Sequence, residues 1–102
     1  MAQVSVSASN GEMTIRVAGR FDFNVHKEFR AAYEQTLGGG SVPAKYIIDF
    51  GATEYIDSSA LGMLLMLRER AGKGAHIVIV HCNQEIKDIL GISNFNKLFN
   101  IE

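Results

Sequence analysis

Asn10-Gly11 lies between two runs in which apolar and polar residues alternate strictly, Val4, Val6 and Ala8 against Ser5, Ser7 and Ser9, then Met13, Ile15 and Val17 against Glu12, Thr14 and Arg16. Period-two alternation around this dipeptide specifies a β-hairpin. The rest of the chain has to fold around it. From Gly19 to Phe23 the alternation stops, and Asn24 is placed to cap a helix in which Val25, Phe29, Ala32, Tyr33 and Thr36-Leu37 recur at three- and four-residue spacing. That helix is predicted to stop at Gly38, where Gly38-Gly39-Gly40-Ser41-Val42-Pro43 reads as a loop. The short apolar run Tyr46 to Phe50 that follows suits a strand buried on both faces.

A turn at Asp57-Ser58-Ser59 opens a second helix running to about Ala71, with Arg68 and Arg70 in its last turn, where cations complement the dipole, and Gly72 and Gly74 beyond. His76 to His81 is predicted as another buried strand. Asn83 can cap a third, short helix carrying Ile86, Ile89 and Leu90, with Gly91 as its stop. Phe95, Leu98, Phe99 and Ile101 return apolar residues to the core in a pattern that fits strand or helix equally. The expected fold is therefore α/β, an N-terminal hairpin followed by alternating helix and strand, with a mostly parallel sheet, right-handed crossovers and helices packed on it. In such folds functional groups gather at the carboxyl ends of strands, where Asp22, Asp57 and Ser58 all fall.

A chain of 102 residues suffices for one core and not for two, so a single domain over 1–102 is expected. With 47% hydrophobic and 21% charged residues it lies far from the disordered regime. A formal net charge of −1, with acidic and basic residues scattered, lacks the basic footprint that nucleic acid would require. The N-terminus has neither the basic segment nor the continuous apolar segment of a signal peptide, and the longest apolar stretch, Leu61 to Leu67, is too short to span a bilayer. No membrane insertion and a cytoplasmic location are expected. Cys82, the only cysteine, cannot form an internal disulfide, which agrees with a reducing compartment.

Ser58 supports two readings. Helix N-termini carry unpartnered N–H groups and the positive end of the macrodipole, so a phosphate added there is held rather than expelled. Equally, Ser58 or Ser59 can simply be the N-cap. The helix itself is apolar nearly all round: Leu61, Leu64, Leu65 and Leu67 are assigned to the sheet side, leaving Gly62, Met63 and Met66 on another stripe. Methionine adapts to irregular surfaces and glycine permits close backbone approach, which makes these three candidates for partner contact, with core filling as the other use of the methionines.

Enzyme chemistry finds little support. There is no Gly-x-Ser-x-Gly elbow to activate a serine, and His76 and His81 flank a strand remote from Ser58 in the expected topology, while His26 reads as a solvated helix position. His76, His81 and Cys82 lack the paired spacing of a metal site. Neither Gly38-Gly39-Gly40-Ser41 nor Gly72-Lys73-Gly74 has the strand-loop-helix order of a phosphate-binding loop. No cofactor and no metal are expected.

Tyr55-Ile56-Asp57-Ser58-Ser59-Ala60-Leu61-Gly62, an apolar residue followed by Asp-Ser-Ser-Ala-Leu-Gly at a helix start after an apolar strand, resembles the phosphorylation motif of the STAS domain, the fold of bacterial anti-anti-sigma factors (anti-sigma factor antagonists). The N-terminal hairpin, a Gly-x-x-Asp turn matched by Gly19-Arg20-Phe21-Asp22, and Ile89-Leu90-Gly91-Ile92 occur in the family's order, so the resemblance covers nearly the whole chain. It implies a partner switch. The unphosphorylated domain sequesters an anti-sigma factor or similar regulator, a serine kinase phosphorylates it to release that partner, and a phosphatase resets it. The implied phosphoacceptor is Ser58, with Ser59 second, and the phosphate would arrive beside Asp57 and near Asp22. Ala60 departs from the glycine of many members, a change tolerated inside a first helical turn. STAS-like domains also serve as accessory subunits of membrane transporters that bind a cytoplasmic ATPase, a role that needs no phosphoacceptor.

Overall fold

In the computed structural model, which describes residues 3–37, 43–72 and 74–102, the hairpin forms as expected. Strands β1 (Gln3–Ser9) and β2 (Glu12–Phe21) pair antiparallel with Ser9 opposite Glu12. Asn10 and Gly11 both take positive φ (52° and 79°), as a two-residue hairpin turn with strand-matched twist requires. The chain continues through a 3-10 turn (Phe23–Val25), helix α1 (His26–Leu37), β3 (Lys45–Asp49), β4 (Thr53–Ile56), α2 (Ser58–Ala71), β5 (His76–Val80), α3 (Gln84–Ile92), a second 3-10 turn (Phe95–Lys97) and β6 (Asn100–Ile101).

The sheet order is β1-β2-β3-β5-β6, with β4 also paired to β2, and every pairing except β1 with β2 is parallel. Register explains the core: Met13, Tyr46 and Ile77 stand in one row and Ile15, Ile48 and Ile79 in the next. Residues in one row of a sheet share a face. All six are buried, and they form one cluster with Phe29 and Tyr33 of α1, Leu64 and Leu67 of α2, Ile86 and Leu90 of α3, and Phe95 and Phe99. The helices therefore cover one face of the sheet. The predicted double burial of Tyr46 to Phe50 is correspondingly partial: Ile47, on the other face, is only half-buried.

Several boundaries differ from those expected. Asn24 is not a cap; Asp22 accepts the Asn24 N–H at 3.0 Å and starts a 3-10 turn ahead of α1. Gly91 does not stop α3, which runs to Ile92 with Ser93 as its C-cap, because Asn94 (φ 61°) supplies the left-handed residue that commonly follows a helix. Asn83 caps as predicted, its side chain accepting the Ile86 N–H at 2.8 Å. The last segment is both a 3-10 turn and a short strand. The predicted stop at Gly38 and the loop from Gly38 to Val42 lie outside the described residues.

Between β3 and β4 the chain kinks at Phe50 to Ala52, so that β2 pairs first with β3 and then, after a register shift between Gly19 and Arg20, with β4. Gly51 sits in this kink with its N–H donated to Asp49 Oδ1 at 2.8 Å. A Cβ at Gly51 would meet that oxygen at 3.0 Å, so a side chain there would crowd the carboxylate. Asp49 also accepts from Arg16 Nη2 at 3.1 Å. Burial pushes its carboxyl pKa up, but the Gly51 N–H, the Arg16 hydrogen bond and charge, and His81 together outweigh that and hold it below the ordinary value.

A depressed folded-state pKa contributes stability above the unfolded pKa that is lost as the pH falls through the folded one. Asp49→Asn is expected to cost about 1–3 kcal/mol at neutral pH, the worth of hydrogen bonds to a charged group. The deficit should shrink once the pH drops below the ordinary carboxyl value of 3.8. Urea unfolding of both proteins at neutral and acid pH checks this.

Candidate functional site at the start of the second helix

The parallel register of β2 with β4 sets Phe21 beside Ile56, both buried, and the Asp57 N–H donates to the Phe21 carbonyl at 3.3 Å. The next residue of each strand is an aspartate in extended backbone, Asp22 (φ −134°) and Asp57 (φ −124°). The two candidates from the sequence are thus neighbours at one end of the sheet. Each caps the turn it precedes. Asp57 Oδ1 accepts the Ala60 N–H at 3.0 Å, and the Leu61 N–H makes the first intrahelical bond, to Asp57 O at 3.2 Å.

That capping removes one of the two uses of serine, the N-cap. The cap of α2 is Asp57, and Ser58 is the first helical residue, exposed, its hydroxyl making no hydrogen bond among the described residues. Ser59 is half-buried. The expectation of a serine cap is corrected, because a carboxylate already occupies that position and accepts the N–H a serine would have taken. Among the described residues, no hydrogen bond of the fold depends on the Ser58 hydroxyl.

The phase of α2 is also clear. Ala60, Leu64 and Leu67 are buried against the sheet, and Leu61 and Met63 flank them, half-buried against the core. Leu65, assigned to the sheet side from the sequence, is exposed instead (41%), as is Met66 (54%). At 100° per residue Ser58, Gly62, Leu65 and Met66 fall on one stripe pointing away from the core. A Cβ at Gly62 would meet nothing within 4 Å. Of the three partner-contact candidates, Gly62 and Met66 lie on this stripe and Met63 at its edge. Leu65, missed from the sequence, completes it.

Further exposed groups surround the strand ends. Phe23 (63% exposed) stacks on His26 with ring centroids 4.2 Å apart, and His26 Nδ1 lies 2.8 Å from the Phe23 carbonyl. The His26 ring thus packs on the turn rather than standing free in solvent. The Arg20 guanidinium lies 4.4 Å from the centre of the Tyr55 ring. None of the histidines hydrogen-bonds to Ser58 or Ser59, and among the described residues no three His, Cys, Asp or Glu side chains cluster as metal ligands would. No described helix is long and apolar enough to cross a membrane.

The division of labour between Asp57 and Ser58 has a direct readout in stability. Asp57→Ala is expected to cost about 0.5–2 kcal/mol, the usual loss of a cap. Ser58→Ala should stay within about 0.5 kcal/mol of the parent. Urea denaturation of the two variants measures both.

The chain is 48% identical over 96 residues to a STAS-domain containing protein of Pseudomonas aeruginosa (strain UCBPP-PA14), covering 93% of this chain and 92% of that one. Its fold is that of the Bacillus cell fate determinant SpoIIAA, an anti-sigma factor antagonist. The unphosphorylated form aligns with TM-score 0.74 at 17% identity, covering 98% of this chain and 87% of that one. The phosphorylated form aligns with TM-score 0.76 at 16% identity, covering 98% and 91%. A sulfate transporter family protein from Wolinella succinogenes shares the fold as well, with TM-score 0.77 at 16% identity over 92% of this chain and 75% of that one. Residues 4–100 match the family described as Mlab, STAS domain, and the chain belongs to the STAS domain family.

Proposed function

We propose that this protein is an anti-sigma factor antagonist working as a serine-phosphorylation partner switch. Unphosphorylated, it binds an anti-sigma factor or similar regulator through the outward stripe of α2; a serine kinase phosphorylates Ser58, the partner is released, and a phosphatase restores binding. The observation that carries the reading is the exposed, uncommitted Ser58 hydroxyl on the same stripe as Gly62, Leu65 and Met66. A phosphoserine brings roughly −1.5 to −2 charges to this stripe. In the free domain water and the helix N-terminus absorb them. In a dry interface an unpaired charge costs several kcal/mol, enough to change affinity by orders of magnitude. SpoIIAA adopts this fold in both its phosphorylated and unphosphorylated forms, which supports a switch that acts by charge rather than by refolding.

The shared fold of a sulfate transporter family protein favours a second reading, an accessory subunit that binds a transporter's cytoplasmic ATPase. The two readings differ in whether Ser58 is modified and in what the stripe captures.

Peptide mass spectrometry of protein from its native host is expected to find a phosphate that Ser58→Ala removes. Capture with Ser58→Ala should recover an anti-sigma factor or regulator that Ser58→Asp does not. An unmodified Ser58 under all growth conditions, with a transporter ATPase recovered by both variants, would reverse the order of the readings. Met66→Asp should weaken partner binding by roughly 100-fold or more while its circular dichroism stays native. Met66 is preferable to Met63 for this purpose because Met63 also packs on the core.

A further inference from the structure

We propose that Arg20 is the cation that receives the Ser58 phosphate, moving to it from a resting position on Asp22 and Tyr55. The inference rests on the reading of Ser58 as phosphoacceptor and adds the residue that holds the modified state.

Arg20 is paired with Tyr55 across the β2–β4 ladder, one residue before Phe21 and Ile56. Strand alternation puts Arg20 and Tyr55 on the face of the sheet opposite buried Phe21 and Ile56, and Asp22 and Asp57 follow directly at the ends of the two strands. The guanidinium lies at this end of the sheet, its Nε 3.6 Å from Asp22 Oδ2, and Asp22 follows Phe21, whose carbonyl accepts the N–H of Asp57, the residue before Ser58. Among the described ion pairs, Arg20 is the cation that meets either aspartate of the site.

Its resting contacts are weak ones. At 3.6 Å the Asp22 pair is well beyond the 2.7–2.9 Å of a charge-assisted hydrogen bond, and the Arg20 side chain is 64% exposed. Nor does Asp22 depend on it, since its Oδ1 is committed to the Asn24 N–H at 3.0 Å. The Tyr55 contact is an exposed cation–π pair, also modest. A phosphate on Ser58 offers stronger terms. It presents three acceptor oxygens and up to two negative charges, and the planar guanidinium fork can take two of those oxygens at once. It would also arrive beside two carboxylates, where a compensating cation has most effect. Transfer of Arg20 uncovers one face of the Tyr55 ring. Phosphorylation would then alter the surface at this end of the sheet in two ways, by an added charge and by a displaced guanidinium.

The test uses the full chain with phosphoserine incorporated at position 58 during translation, so that no kinase is needed and the result is independent of whether cells modify Ser58. The 31P resonance is titrated through the second phosphate ionisation, near pH 6. An opposite charge at hydrogen-bond range favours the dianion, so the phosphate pKa of the parent is expected to lie about 0.5–1 unit below that of Arg20→Gln. Arg20→Lys should recover part of the difference. The Tyr55 ring signals should shift on phosphorylation in the parent and not in Arg20→Gln. Asp22→Asn, which keeps Arg20 and removes its resting partner, should lower the phosphate pKa further. Equal phosphate pKa values, within about 0.1 unit, in parent and Arg20→Gln would overturn the proposal, as would Tyr55 signals unmoved by the phosphate. Phosphate absent at Ser58 in cells would instead count against the partner switch and leave the Arg20 contact standing.

Discussion

The pairing of one strand, β2, with two successive strands on the same side is the constraint on which the rest of the structure depends. β3 occupies the first half of β2 and β4 the second, separated by the kink at Phe50 to Ala52. The kink is tied down from several directions: the Gly19 N–H donates to Ala52 O at 2.8 Å, the Thr53 N–H to Phe50 O at 3.0 Å, the Thr53 hydroxyl to Val17 O, and Asp49 takes the Gly51 N–H. Buried backbone groups must find partners, and here a break in a ladder is repaired without leaving the sheet. The outcome is positional. β4 ends level with β2, and two aspartates leave the sheet side by side.

From that arrangement follows the separation of folding from surface chemistry along α2. Asp57 supplies the cap, Ala60, Leu64 and Leu67 supply the burial, and Arg70 pairs with Glu34 of α1 at 2.9 Å. All of the helix's structural duties fall on one side or at its ends. The opposite stripe carries no such duty, yet it presents Leu65 and Met66 to solvent. Exposed apolar residues scattered over a surface need no explanation, but two on one stripe with an uncommitted hydroxyl at its head form a patch. A substitution there changes the exposed patch while changing little of what holds the helix in place.

Legibility in the sequence followed the strength of local patterns. The hairpin was readable because alternation and turn chemistry agree over fourteen positions from Val4 to Val17, and β5 because a continuous apolar run has few other uses. β4 was not readable: Thr53-Glu54-Tyr55-Ile56 has two buried residues at its ends and two exposed between, which matches neither a period of two nor a buried run. Leu65 was misplaced for the opposite reason. With Leu61, Leu64, Leu65 and Leu67 all apolar, the segment does not encode its own phase, and in the fold Ala60, Leu64 and Leu67 are the residues that meet the sheet. The caps show the same limit. Asp22 and Asn24 are both good capping residues two positions apart, as Gly91 and Asn94 are both good helix stops three positions apart, and local pattern does not choose between the members of either pair. Asp57 and Ser58 could be seen as a motif, whereas the contact of Arg20 with Asp22 and Tyr55 depends on the β2–β4 register and has no signature in the chain.

A charge-operated switch places opposing demands on one spot. The group that is modified must be reachable by an enzyme, so it cannot be buried, and its modification must matter to a partner, so it has to lie where that partner excludes water. A helix N-terminus at the carboxyl end of a parallel sheet meets both demands, provided that something other than the modified residue caps the helix. Were the serine itself the cap, phosphorylation would remove an N–H acceptor from the helix and couple the switch to stability. With Asp57 as the cap, the proposed phosphate at Ser58 would leave the Ala60 N–H its partner. In the proposed switch the cost of the added charge would then fall on the complex rather than on the fold, which is the condition for a domain of this size to change partners without unfolding.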